Sequence, residues 1–256
     1  MSDAPLTGRV AIVSGANVEI GAEIAEALGN AGAKVLMGYY GEPGLAREVV
    51  KRLEARGREA AVLEADLSQV AENQRLIDAA LERFGRLDIF IANAGITVSA
   101  PFLETSERDW DTLQNLNLKG SYFGAQAAAR TMIAGGAGGR IVFSSSVTGL
   151  RALSGSSAYG VTKAGLRHMA STLGGELGAY GITVNAVAIG ATVNARNLED
   201  DPDYSAHWAG VIPTGRVGTP EDVANAVRFL VSDEAAMVNG HTLVIDGGWT
   251  NGAKVP

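Results

Sequence analysis

The feature that most constrains this chain is an alternation. Short β-branched or apolar runs are each followed by a longer stretch of helical period, beginning with residues 9–14 as a strand and 20–31 as a helix. Further strands are predicted near 34–39, 60–64, 87–93, 140–144, 182–187 and 242–246, with a helix over 220–232. That makes about seven strands. Strands joined through helices are parallel, and a parallel sheet is covered on both faces. This is why Ile89-Phe90-Ile91-Ala92 and Val184-Asn185-Ala186-Val187-Ala188 run almost wholly apolar instead of alternating. The rhythm predicts an α/β, doubly wound, mainly parallel seven-stranded sheet with helices on both faces, its ligand edge at the strands' C-terminal ends.

With 46% hydrophobic and 19% charged residues among 256, the chain can bury a large core. No Pro-, Ser- or charge-rich linker divides it, so residues 1–256 are expected to form a single domain. The patch Ala134-Gly135-Gly136-Ala137-Gly138-Gly139 reads as a flexible turn before a strand. Residues 190–213 look irregular, and 190–217 form the one long loop region, expected to cover a substrate.

A formal net charge of -7 gives no reason to approach nucleic acid or an anionic membrane. The absence of cysteine excludes disulfides, thiolate metal sites and thiol nucleophiles. Residues 1–8 do not resemble a signal peptide, and no apolar run approaches about 20 residues, so a soluble, cytoplasmic protein is expected. His207 and His241 lack the company of other ligands, and no metal is expected.

After the first strand comes Ser14-Gly15-Ala16-Asn17-Val18-Glu19-Ile20-Gly21. A strand-to-helix turn here could aim helix N-terminal amides at a pyrophosphate, although the same glycines suit a plain tight turn. Tyr159 and Lys163, four apart at the start of a helix, share one face. An ammonium beside a phenol favours phenolate, which suits a tyrosine to proton exchange at neutral pH. An exposed helix pair is the plainer reading of the same spacing. Ser146 shifts the balance, because it falls just past the strand ending near Ser144, where a hydroxyl could meet the same substrate oxygen.

With these residues in place, the chain resembles the short-chain dehydrogenase/reductase family over essentially its whole length. Asn93-Ala94-Gly95, Asn117 within Asn115-Leu116-Asn117-Leu118-Lys119-Gly120, Ser146, Tyr159 and Lys163 follow the family's order and spacing. The tail agrees too, through Gly215-Arg216-Val217-Gly218-Thr219-Pro220-Glu221-Asp222-Val223-Ala224 and Val244-Ile245-Asp246-Gly247-Gly248. The resemblance implies a Rossmann-type fold, a homotetramer, and NAD(P)-dependent interconversion of a secondary alcohol and a carbonyl compound. It makes Asn117, Ser146, Tyr159 and Lys163 the catalytic set: Tyr159 exchanges the proton, Ser146 orients the substrate oxygen, and Lys163 holds ribose hydroxyls and favours the phenolate. Asn117 would hold a water linking Lys163 to solvent. It assigns the cofactor to Ser14, Gly15, Asn17, Ile20, Gly21, Tyr39, Asp66, Leu67, Asn93, Ala94, Gly95, Tyr159, Lys163, Ile189 and Thr192. Asp66 equally suits a helix cap, and Asn93 equally suits a strand tie.

Three departures stand out. Glu19 replaces the middle glycine of the family's loop, and a carboxylate facing a phosphate at about 4 Å would be repelled by about 4 kcal/mol in a dielectric near 20. Turning to water, or sitting at the helix start, would avoid that cost. Ile189-Gly190 stands where the family has Pro-Gly, and Asn194 lies near its nicotinamide-contacting Thr, with Thr192 close by. Tyr39 replaces the acidic residue that reads NAD, yet Val18 and Tyr40 bring no cation for a 2′-phosphate. The balance leans slightly to NADP(H), with NAD(H) open. Tyr204, His207 and Trp208 would lie over the pocket or join the core. A non-redox or regulatory protein on the same scaffold is the alternative, with Glu19 weakening the cofactor site.

Overall fold

The computed structural model describes residues 4–252. Its strands are β1 (Val10–Ser14), β2 (Lys34–Tyr39), β3 (Ala60–Glu64), β4 (Ile89–Ala92), β5 (Gly139–Ser146), β6 (Ile182–Ile189) and β7 (Thr242–Ile245). Between and after them run α1 (Glu19–Asn30), α2 (Gly44–Glu54), α3 (Val70–Phe84), α4 (Glu107–Leu113), α5 (Ser121–Gly135), α6 (Ser157–Leu177), α7 (Ala195–Asp200), α8 (Tyr204–Ala209), α9 (Pro220–Val231) and α10 (Trp249–Gly252). The sheet order is β3-β2-β1-β4-β5-β6-β7, and every pairing is parallel, so the expected "mainly parallel" sheet is wholly so.

The Rossmann-type order reverses between β1 and β4, which opens a crevice at their C-terminal ends. Period-2 alternation along β1 divides the core: Ala11 and Val13 face a layer with Ile24, Leu28 and Leu53, while Val10 and Ile12 face one with Leu76, Ile77 and Leu166. Each such leucine or isoleucine, fully buried, stabilises the fold by about 1.5–3 kcal/mol. A third cluster at the crevice edge joins Val147, Ile212 and Trp249 with Trp208 and Leu153.

Four sequence expectations shift. The strand predicted over 87–93 shortens, because Asp88 turns its carboxylate to the Val10 N–H and Arg86 and Asn93 leaves the ladder to bond Ser14. The strand predicted over 140–144 extends, since its pairing continues through Ser145 with Ala188 and Ser146 with Ile189. Ser146 is therefore the last residue of β5, not a residue beyond it. The segment over 190–213 contains α7 and α8, the former capped by Asn194, whose side chain accepts the Asn197 N–H at 2.9 Å. Among the described residues no helix is long and apolar enough to cross a membrane. Met1–Asp3, part of the segment read for a signal peptide, lie outside the described residues.

Candidate active site

A cavity of ≈ 660 Å³ opens at the C-terminal edge of the sheet. Its first wall is the turn from β1 to α1, where Gly15 has φ +64 and a Cβ would fall 2.7 Å from the Ala94 Cα. At Gly21 a Cβ would meet the Gly15 carbonyl at 2.1 Å. Both glycines are thus required by close backbone approach. Asn93 holds the turn in place, donating to the Ser14 and Gly15 carbonyls at 3.1 Å each and accepting from the Ser144 hydroxyl at 3.0 Å. The strand tie expected of Asn93 is present.

Gly15, Asn17, Ile20, Gly21, Tyr39, Asp66, Leu67, Asn93, Ala94, Gly95, Ile189 and Thr192 all line this cavity. Ser14 does not. It is buried, with its hydroxyl accepting the Asn93 and Ala94 N–H groups at 2.9 Å each, so its part is to join β1 to the end of β4. Asp66 is not a helix cap: its carboxylate accepts the Ser68 N–H and hydroxyl, and Gln69 precedes α3.

The wall suits a dinucleotide. Val18 before α1 supplies no side-chain acceptor, so the first amides of that helix remain open to an anion. A Cβ at Gly95 would stand 3.1 Å from the Asn117 Oδ1 and 3.4 Å from the Lys163 Nζ, so this glycine lies against both side chains beside the cavity. Glu19 is the first residue of α1 and accepts the Ala195 N–H at 2.8 Å. Of the two expected escapes from the repulsion, the helix start is the one the structure shows, and the part-exposed carboxylate also takes a donor from the segment after β6.

The second wall carries Tyr159 and Lys163 on α6, with the Lys163 Nζ 5.5 Å from the tyrosine ring centroid. Lys163 is buried and donates to the Ser144 carbonyl at 2.8 Å, while the Ser145 hydroxyl donates to the Lys163 carbonyl at 2.7 Å. These bonds lock α6 onto β5, which brings Ser146 to the same cavity. The Ser146 hydroxyl accepts the Thr148 N–H at 3.2 Å, leaving its own proton free to turn toward a ligand.

Asn117 lies behind this wall, fully buried in a π-helical turn over Gln114–Gly120. Its side-chain amide exchanges two bonds of 2.9 Å with the backbone of Ile96. Its carbonyl accepts the Ser121 hydroxyl at 2.8 Å. The residue thereby fixes the loop after β4 beside Lys163.

At the far end, Tyr204, Trp208 and Trp249 form an aromatic wall, with ring centroids 6.0 and 5.6 Å apart. Burial pushes the Tyr204 phenol above its ordinary range. His207, by contrast, faces away from the cavity, and its bond to Asp201 raises its imidazole above the usual value. Trp249, Ser156 and Arg196 line the cavity without having been anticipated. No periodic pattern marks them: Ser156 precedes α6, and Arg196 and Trp249 sit on the short α7 and α10. Lys163 and Arg196 are the cationic side chains on the lining among the described residues, and the end near Tyr39 and Tyr40 has none. Among the described residues no cluster could hold a metal ion.

A family model described as enoyl-(acyl carrier protein) reductase matches residues 15–250. The 2-dehydro-3-deoxy-D-gluconate 5-dehydrogenase of Escherichia coli strain K12 is 36% identical over 246 residues, covering 95% of this chain and 96% of that protein. A short-chain dehydrogenase/reductase from Serratia marcescens BCRC 10948 superposes with a TM-score of 0.90 at 30% identity, over 96% of this chain and 99% of that one. A short-chain dehydrogenase from Burkholderia cenocepacia J2315, solved in complex with NADP, gives 0.89 at 34% identity, over 96% and 99%. Sequence, fold and the order of the cavity residues agree, and the chain belongs to the short-chain dehydrogenase/reductase family.

Proposed function

We propose that this protein is an NAD(P)-dependent oxidoreductase in which Tyr159 exchanges the proton between a secondary alcohol and a ketone or other carbonyl, acting as a carbonyl reductase or alcohol dehydrogenase. The observation that carries the reading is the meeting of Tyr159, Lys163 and Ser146 on one wall, where the glycine-turn channel reaches the aromatic end.

A bound nicotinamide dinucleotide supplies or accepts the hydride. In reduction the Tyr159 hydroxyl gives its proton to the carbonyl oxygen; in oxidation the phenolate takes the alcohol proton. Lys163 stabilises that phenolate through its ammonium and faces the cavity where ribose hydroxyls would lie. Ser146 donates its hydroxyl hydrogen to the substrate oxygen and holds it opposite Tyr159. Asn117 keeps the loop after β4 against Lys163 from behind. Gly15, Asn17, Ile20, Gly21, Asp66, Leu67, Ala94, Gly95, Ile189 and Thr192 frame the cofactor along the channel.

The relative solved with NADP supports NADP(H) as the preferred dinucleotide, and Tyr39 in place of a carboxylate agrees with it, while NAD(H) is retained as a second cofactor. A single domain, a cytoplasmic location and a homotetramer complete the reading. Nothing in the cavity or among the relatives favours a non-redox role. Titration with NADH and NADPH, followed by nicotinamide fluorescence, is expected to show saturable binding, and a panel of secondary alcohols and ketones is expected to give turnover at 340 nm. Failure to bind either dinucleotide would overturn the proposal.

A further inference from the structure

The Glu19 carboxylate reaches across to a segment 176 residues further on, accepting the Ala195 N–H at 2.8 Å. The bond joins opposite sides of the cavity. Glu19 opens α1 on the glycine-turn side, and Ala195 opens α7 on the segment that follows β6.

The start of α7 does not need Glu19 in order to form. Asn194 caps it through the Asn197 N–H at 2.9 Å, and the Asn197 side-chain amide donates to the Thr192 carbonyl at 2.9 Å. The root of the segment is held separately, because Thr192 pairs with Gly218 and the Gly218 N–H donates to the Ala191 carbonyl at 2.9 Å. Root and first turn are therefore built without the glycine side of the cavity. What the Glu19 bond adds is a tie between this segment and α1, at the place where open amides await an anion.

Glu19, Asn194 and Asn197 all line the channel on either side of that tie. We propose that Glu19 is a positioning residue that latches α7 over the dinucleotide channel, so that the cofactor enters and leaves through opening of the Glu19–Ala195 bond. This inference rests on the oxidoreductase reading for its ligand, but not for the contact itself. The bond aims one carboxylate oxygen at a backbone donor of the segment after β6.

Two measurements on the full chain test it. Amide exchange at Ala195, followed without dinucleotide, is expected to quicken roughly tenfold in Glu19→Ala, the size of one charge-assisted bond. Exchange in β5 should stay as in the wild type, which separates a released latch from general loosening. Glu19→Gln keeps an oxygen acceptor and should remain within about twofold of the wild type. Release of NADPH and of NADH in stopped flow should rise several-fold in Glu19→Ala and hardly at all in Glu19→Gln.

Unchanged Ala195 exchange in Glu19→Ala overturns the latch, and so does quickened exchange with unaltered release rates. Tighter dinucleotide binding in both variants alike would also overturn it, because charge repulsion would then be the governing effect. If the wild type binds neither dinucleotide, the oxidoreductase reading fails, while exchange at Ala195 still decides the contact.

Discussion

The two sides of the cavity are built in opposite ways. On the α6 side, Tyr159 and Lys163 are one helical turn apart, and Lys163 is secured to the neighbouring β5 through Ser144 and Ser145. On the glycine-turn side, Glu19 finds its partner only after most of the chain has been laid down. The first arrangement follows from the period of a helix and the end of a strand. The second exists only because the sheet closes and returns the segment after β6 to α1. On the proposed reading, chemistry belongs to the locally determined wall and access to the wall made by long-range contact.

The largest expected effect falls on the rigid wall. Tyr159→Phe removes the exchangeable proton and should lower turnover by about 10²–10⁴-fold, with dinucleotide affinity nearly unchanged in fluorescence titration. Retained turnover would break the assignment of chemistry to α6. Lys163→Met should differ in kind, because it removes both the ammonium beside the phenol and the group facing the ribose. Its turnover should fall and its dinucleotide dissociation constant should rise together, whereas Tyr159→Phe moves the first alone.

On the opposite wall, Gly15→Ala tests backbone shape instead of side-chain chemistry. The new Cβ would sit in a left-handed conformation, 2.7 Å from the Ala94 Cα. Such strain costs about 1–3 kcal/mol. Thermal unfolding should show a lowered midpoint, and dinucleotide binding should weaken because the turn must shift. An unchanged midpoint would mean that this wall yields more easily than its packing implies.

The same contrast governs what could be read from the sequence. The parallel sheet was legible because buried strands run apolar for four or five residues, as in Ile89-Phe90-Ile91-Ala92. Tyr159, Lys163 and Ser146 were legible because spacing along one helix and one strand end brings them together. The partner of Glu19 was not legible, since no local pattern couples a residue of α1 to Ala195. Nor was Trp249, which reaches the aromatic wall only because Gly247 and Gly248 turn the chain after β7 at φ +61 and +88. Ser14 shows the converse: the motif places it among the cofactor contacts, whereas the fold engages its hydroxyl with two backbone donors at the end of β4.

The smallest effect concerns the root of the latch segment, where Gly218 pairs with Thr192 just before α9. Asp222 closes a capping box with Thr219 at the start of that helix, and Arg216 holds its carboxyl down to about 2, chiefly through a side-chain hydrogen bond. A carboxyl lowered on folding stabilises the fold fully above its ordinary value near 3.8 and loses that contribution as the pH falls toward about 2. The pair is partly exposed, with side-chain exposures of 60% for Arg216 and 31% for Asp222. Solvent screening therefore reduces the effect, and Asp222→Ala should cost roughly 1 kcal/mol at pH 7 by urea unfolding. The deficit relative to wild type should shrink between pH 4 and pH 3, because the wild-type carboxyl begins to lose its advantage there. A deficit that stays constant over that interval would assign the loss to uncharged capping geometry. In that case the root of the segment would be held by backbone shape, as the glycine turn is.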